Sequence, residues 1–144
     1  MFDSILVVCA GNICRSPTAE YVLKAKLADQ KCTVSSAGLT AMVGKPADAM
    51  AQKIAASHGV IMDAHQGQQL SAQLVVNNSV ILVMEQRHLN DVHKRYPEAR
   101  GKTFLLGKWI NNAEIPDPYR QSQEAFEHVY VLIDSVCSAW QKYL

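Results

Sequence analysis

The chain has 144 residues, 49% apolar and 19% charged, a balance that supplies a hydrophobic core and excludes a disordered tail. Fourteen basic and thirteen acidic side chains leave a formal net charge of +1, so no overall field draws the protein to nucleic acid or an anionic membrane surface; any anion site must be local. The cysteines, Cys9, Cys14, Cys32 and Cys137, show neither the dense spacing of a secreted disulfide scaffold nor the Cys-x-x-Cys pairs of a zinc site, which fits a reducing compartment such as the cytoplasm.

No Gly/Ser-rich linker or shift of composition divides the chain, so residues 1–144 read as one domain. Ser4 to Cys9 is a short Val-rich run bounded by a glycine, the pattern of a strand buried on both faces of a parallel sheet. The apolar stretch Ile5 to Ala10 is short, follows Asp3 and lacks a basic leader, so it resembles neither a signal peptide nor a membrane span. After a loop at 9–16, Pro17 suits a first helical turn, Ser16 is the expected cap, and Ala19, Val22, Leu23 and Leu27 mark one apolar face. A second strand is expected at Thr33 to Ser36. Ala47, Met50, Ala51, Ile54 and Ala55 trace a helical stripe that stops at Gly59. Val80 to Met84 repeats the buried-strand signal, followed by a short helix ending near Pro97, a strand around Thr103 to Leu106 and a loop carrying Pro116 and Pro118. Phe126, Val129, Tyr130, Ile133, Val136, Cys137 and Trp140 form the stripe of a long last helix. Alternating strands and helices predict an α/β fold, a three-layer domain with a small parallel sheet of about four strands flanked by helices.

The segment Cys9-Ala10-Gly11-Asn12-Ile13-Cys14-Arg15-Ser16-Pro17 joins the carboxyl end of the first strand to the amino end of a helix, where open α/β sheets bind ligands. Gly11 lets the backbone turn tightly, and the loop amides from Ala10 to Ser16 and the helix N-terminus can point inward at an oxyanion. Cys9 lies at the floor of that cradle, where the helix dipole and Arg15 favour a thiolate nucleophile. Arg15 is planar, permanently charged and able to donate two parallel hydrogen bonds to a phosphoryl group in flight. A cysteine six residues before an arginine arises by chance, and a lone strand cysteine is usually a small buried hydrophobe. Gly11, Ser16, Pro17 and the strand-loop-helix context make the combination specific, and the absence of Gly-Lys-Ser/Thr excludes a nucleotide P-loop.

The run Val7-Val8-Cys9-Ala10-Gly11-Asn12-Ile13-Cys14-Arg15-Ser16-Pro17-Thr18-Ala19-Glu20 resembles the signature of the low-molecular-weight protein tyrosine phosphatases. The likeness continues through Ser36-Ala37-Gly38, Ile115-Pro116-Asp117-Pro118-Tyr119 and the last helix, so it spans essentially the whole chain. It implies a phosphotyrosine phosphatase working through phosphocysteine on Cys9, with Arg15 on the phosphoryl group, Asp117 as general acid and base, and Tyr119 lining the substrate cleft. Expulsion of a phenolate, whose conjugate acid has a pKa near ~10, needs such a proton donor. Asp-Pro by itself is an ordinary turn signal. The resemblance also implies that Asn12, Ser16, Ser36 and His65 hold the cradle in shape. The usual His-x-Ala-Arg-Gln reads here His65-Gln66-Gly67-Gln68-Gln69, so a satisfied histidine outside the network stays open as the alternative for His65. In the family, cysteines placed like Cys9 and Cys14 can close a reversible disulfide; simple packing of Cys14 beneath the loop is the alternative.

The loop Leu39-Thr40-Ala41-Met42-Val43-Gly44 carries no aromatic residue, which predicts a cleft wall that is aliphatic on one side, at Leu39. With Trp109 and Glu114-Ile115-Pro116-Asp117-Pro118-Tyr119-Arg120, this resembles the bacterial branch acting on tyrosine autokinases of capsule or exopolysaccharide export. The implied partner is a phosphotyrosine protein of that kind, met by a monomer or weak oligomer, with no nucleic acid and no membrane insertion. A thiol-linked arsenate reductase shares the fold but needs relay cysteines, and none lies between Cys32 and Cys137. A phosphocysteine carrier or phosphotyrosine-binding module needs neither Arg15 nor Asp117. The chemistry requires no metal or organic cofactor.

Overall fold

A computed structural model of the chain describes residues 2–144. Strand β1, Ser4–Cys9, is apolar from Ile5 onward because it is enclosed on every side. It pairs in parallel with β2, Thr33–Gly38, on one edge and with β3, Val80–Val83, on the other, and β3 pairs in parallel with β4, Thr103–Leu105. The order is therefore β2-β1-β3-β4. The chain leaves β1 toward β2 and returns on the opposite side to β3, so the loops at the carboxyl end of β1 diverge and open a crevice at Cys9.

Among the described residues five α-helices cover the sheet: α1, Arg15–Lys26; α2, Ala49–Ser57; α3, Ala72–Asn77; α4, Gln86–Arg95; and α5, Gln123–Gln141. Strand periodicity sorts the core into two layers. Ile5, Val7 and Cys9 pack with Leu23 of α1, Ile54 of α2 and Ile133 of α5, whereas Leu6 and Val8 pack with Val75 of α3 and Val92 of α4. Each fully buried Leu or Ile contributes roughly 1.5–3 kcal/mol of transfer free energy, which fixes the register of β1.

All seven residues of the predicted α5 stripe are buried. The Ser122 hydroxyl accepts from the Ala125 amide at 3.2 Å and caps that helix. Asp48 caps α2 through the amides of Met50 and Ala51, so Ala47 is buried just outside the helix and not within it. Gly59, at φ +84°, follows the end of α2 as expected. β2 extends two residues past the predicted Ser36 because Ala37 and Gly38 continue the ladder against Val8 and Cys9. α3 was not evident from periodicity: it has six residues and buries only Val75. Among the described residues no helix is long and apolar enough to cross a membrane.

Candidate active site

Five consecutive carbonyls of the loop after β1 are tied outward. Cys9 O accepts from Leu39 N at 3.0 Å, Ala10 O from Thr40 N at 3.0 Å, Gly11 O from Met42 N at 3.0 Å, and Ile13 O from Asp48 N at 2.8 Å. Asn12 O accepts from the His65 ring at 2.7 Å, which makes Nε2 the protonated nitrogen. A trans peptide points its N–H opposite to its C=O, so this stitching turns the amides inward. Those of Gly11, Ile13 and Cys14 have no protein acceptor among the described residues, the arrangement of an anion nest.

The turn itself differs from expectation. Gly11 does not adopt a left-handed conformation, and the residue that does is Asn12, at φ 57°. Asparagine tolerates this region, and here its side chain holds it there. Asn12 Nδ2 donates to Ser16 Oγ at 2.8 Å and to Ser36 Oγ at 2.9 Å, while Oδ1 accepts from Gln68 N at 2.9 Å. Glycine is required instead at Gly38, where a Cβ would stand 2.5 Å from Ala10 O.

Cys9 Sγ, at the end of β1, accepts from Asn12 N at 3.3 Å and lies 2.9 Å from Ser16 Oγ. When Cys9 is a thiolate, the Ser16 hydroxyl must be the donor, since sulfur then has no proton to give. Ser16 is thus a partner of the sulfur within the first turn of α1 and not its cap, the correction being that Cys14 occupies the cap position and makes no side-chain capping bond. Ser36 donates in turn to Glu20 Oε1 at 2.5 Å, and Glu20 Oε2 pairs with Lys24 at 2.6 Å. His65 Nδ1 lies 4.0 Å from the same Glu20 carboxylate. His65 therefore sits inside the cradle's support, with Gln68 standing where arginine was expected and donating its amide to Ser36 O at 2.8 Å. Glu20 carried no assignment from the sequence, because a glutamate one turn into a helix ordinarily faces water.

Arg15 is only 2% exposed, and its partners come from two separate segments, the start of α4 and the loop before α5. Nη1 contacts Glu85 Oε2 at 2.5 Å and Ile115 O at 2.9 Å, and Nη2 lies 3.8 Å from Asp117 Oδ2. Glu85, at the start of α4, also receives a bidentate grip from Arg87 at 3.0 and 3.1 Å. Burial pushes the Glu85 carboxyl up, but hydrogen bonds from Arg87 and Arg15 and the charge of Arg15 outweigh it, and the net result is about 2. Glu85 was missed in the sequence, where nothing but a strand-to-helix junction marks it. Asp117 is half-exposed and accepts from Tyr119 N at 3.0 Å, which fixes the Asp-Pro-Tyr turn at the rim. Burial, followed by the charges of Asp48, Asp117 and Cys9, pushes the Cys14 thiol far up, against a smaller opposing effect of Arg15.

The resulting cleft holds about 240 Å³ between Cys9 and Arg15 at its floor and Ile13, Met42, Asp117 and Tyr119 on its walls. Leu39, expected on the wall, is instead 5% exposed and packs with Leu70 and Val75 beneath the opposite face of the sheet. Leu39 lies in the turn just past β2 and shares the buried cluster of Ala37, while Thr40 and Met42 face the cleft. Gly67 lets the Met42 carbonyl approach closely, since a Cβ there would collide with it. Arg120 stands over the Tyr119 ring at 5.2 Å. Cys32 is half-buried and Cys137 is fully enclosed, and all four thiols are free. Among the described residues no group of three or more His, Cys, Asp or Glu is placed to hold a metal ion.

An oxyanion nest with a sulfur at its floor and an arginine clamped beside it, set at the switch point of a parallel sheet, defines a cysteine-dependent phosphatase of the α/β type. The chain belongs to the low molecular weight phosphotyrosine protein phosphatase family, which it matches over residues 4–144. It is 50% identical to the low molecular weight protein-tyrosine-phosphatase Etp of Escherichia coli K12 over 143 residues, 99% of this chain and 95% of that one. The crystal structure of the Erwinia amylovora tyrosine phosphatase AmsI superimposes with a TM-score of 0.96 at 49% identity, covering 100% of this chain and 94% of that one. Wzb of Vibrio vulnificus, in complex with benzylphosphonate, superimposes with a TM-score of 0.96 at 51% identity, covering 100% of both chains.

Proposed function

We propose that this protein hydrolyses phosphotyrosine in a bacterial tyrosine autokinase of polysaccharide export, acting in the cytoplasm through a phosphocysteine on Cys9. The observation that carries the mechanism is the outward tethering of the loop carbonyls, which leaves inward amides around a sulfur that accepts from Asn12 N and lies 2.9 Å from the Ser16 hydroxyl. In the first step the Cys9 thiolate attacks phosphorus while the bond to the tyrosyl oxygen breaks. Asp117 gives its proton to the departing phenolate, and tyrosine leaves. In the second step water attacks phosphorus, Asp117 takes a proton from it, and the P–S bond breaks to release phosphate and the thiolate. Arg15 and the loop amides stabilise the equatorial oxygens in both transition states.

Ile13, Met42 and Tyr119 make the walls apolar above a polar floor, which suits a flat phenyl ring better than a short seryl chain. The Vibrio vulnificus relative's ligand, benzylphosphonate, combines the same two features. The autokinase partner rests on likeness to Etp, AmsI and Wzb. Against an arsenate reductase, Cys32 sits at the margin of β2 and Cys137 inside α5, so neither supplies an outward relay next to Cys14. Single-turnover hydrolysis of a phosphotyrosine peptide in chelator, quenched in acid, tests the reading. Wild type should yield trapped phosphocysteine and Cys9→Ser none, while Asp117→Asn should slow the peptide more than an ester with a good leaving group. No turnover by reduced wild type refutes the proposal, and equal slowing of both substrates removes Asp117 from the acid role.

A further inference from the structure

Beside the catalytic cleft, and sharing Ala10 and Thr40 with it, a second groove of about 350 Å³ runs along α4. Two arginines of α4 line it. Arg95 donates to Leu39 O at 2.8 Å and to Asp91 Oδ1 at 3.0 Å, which uses two of its five N–H donors and pins the guanidinium in place. Arg87 is anchored on Glu85 and otherwise largely exposed. Between them His88 is 2% exposed, and neither of its ring nitrogens has a hydrogen-bond partner among the described residues. An orphaned buried imidazole is destabilising unless something outside the fold completes it. Burial, followed by the charge of Arg15, lowers the His88 pKa to about 4, so at neutral pH the ring offers one N–H donor without a charge.

We propose that this groove is a subsite for an anionic side chain of the substrate, a carboxylate or phosphate within about three residues of the phosphotyrosine, the reach of about 10 Å of extended chain. Arg95 and Arg87 supply the charge, and His88 and the exposed Thr40 hydroxyl offer neutral donors. The opposing charges are Asp91, which lines the groove, and Glu85, which faces Arg87 and the His88 Nε2 at 3.7 Å. Asp91 therefore tunes the subsite downward. The inference rests on the phosphatase reading and extends it to substrate choice.

The test compares phosphotyrosine peptides with alanine flanks against peptides carrying one glutamate or one phosphoserine at each neighbouring position, with para-nitrophenyl phosphate as a substrate that lacks flanks. Wild type should favour one acidic register by about fivefold in kcat/KM, through KM and not kcat, and lose the preference at high salt. Arg95→Gln should abolish the preference, Asp91→Asn should increase it, and para-nitrophenyl phosphate should be hydrolysed equally by all three. A preference for phosphoserine alone assigns the groove to phosphate, and a preference for both assigns it to either anion. Hydrolysis of the alanine-flanked peptide with no acidic preference, or a preference that survives Arg95→Gln, overturns the subsite only. Failure of wild type to hydrolyse any of these substrates overturns the phosphatase reading and the subsite with it.

Discussion

Replacing Glu85 by glutamine keeps the shape of the side chain and removes the charge that faces the buried Arg15 guanidinium. The carboxyl stands at about 2 in the folded protein against an ordinary 4.5. At 1.36 kcal/mol per unit, discounted for the exposed side of the Arg87 pair, this makes its charge responsible for about 2–3 kcal/mol of stability at neutral pH. Because the folded value is depressed, the contribution is complete above about pH 4.5 and is lost as the pH falls toward 2. Glu85→Gln should therefore melt about 5–10 °C below wild type at pH 7, and the gap should close progressively below pH 4.5 as the wild-type carboxyl protonates. With the carboxylate gone, Asp117 becomes the nearest anion to Arg15, 3.8 Å away, and draws the guanidinium off the phosphoryl position while occupying the acid. A fall of about 10- to 100-fold in kcat on para-nitrophenyl phosphate should follow, with a smaller change in KM. Thermal melts from pH 2 to 7 together with steady-state kinetics check both parts. A melting difference that does not vary with pH, or a wild-type kcat, would refute the clamp.

The wall of the cleft separates two neighbouring side chains. Met42→Ala should raise KM for a phosphotyrosine peptide about three- to fivefold with little change in melting temperature, whereas Leu39→Ala should cost about 2–3 kcal/mol of stability and leave KM unchanged. The reverse assignment of effects would return Leu39 to the cleft. Cys14, buried and surrounded by acidic neighbours that push its thiol up, should stay protonated at pH 7. Iodoacetamide followed by mass spectrometry of the reduced protein should label Cys9 well before Cys14, with inorganic phosphate protecting Cys9. Comparable rates at the two sites would show that burial does not govern Cys14.

The residues proposed to act on the phosphate could be named from the sequence because they lie in two short segments whose local form follows from local rules. Cys9, Arg15 and Ser16 fall in one strand-loop-helix junction, and Asp117 is held between two prolines. The residues that hold those groups in place were not legible, because they arrive from elsewhere in the chain. Glu85 meets Arg15 across a separation of 70 residues, and Ile115 O across 100. Gln68, read as a loss where arginine was expected, donates its side-chain amide to Ser36 O, a contact between residues 32 positions apart.

The sequence alone determined the layered α/β fold, the strand ending at Cys9 and the α5 stripe, since apolar periodicity and turn residues act over a few positions. Only the tertiary structure decided which side chains face the cleft. Just past β2, Leu39 falls on the side of the buried core and Met42 on the wall of the cleft, and which side a residue faces acquires meaning only once its neighbours are known. The same holds for charge. Glu20 and His88 look like helix surface until the packed fold takes their water away, and from then on each must find a partner or stand unpaired.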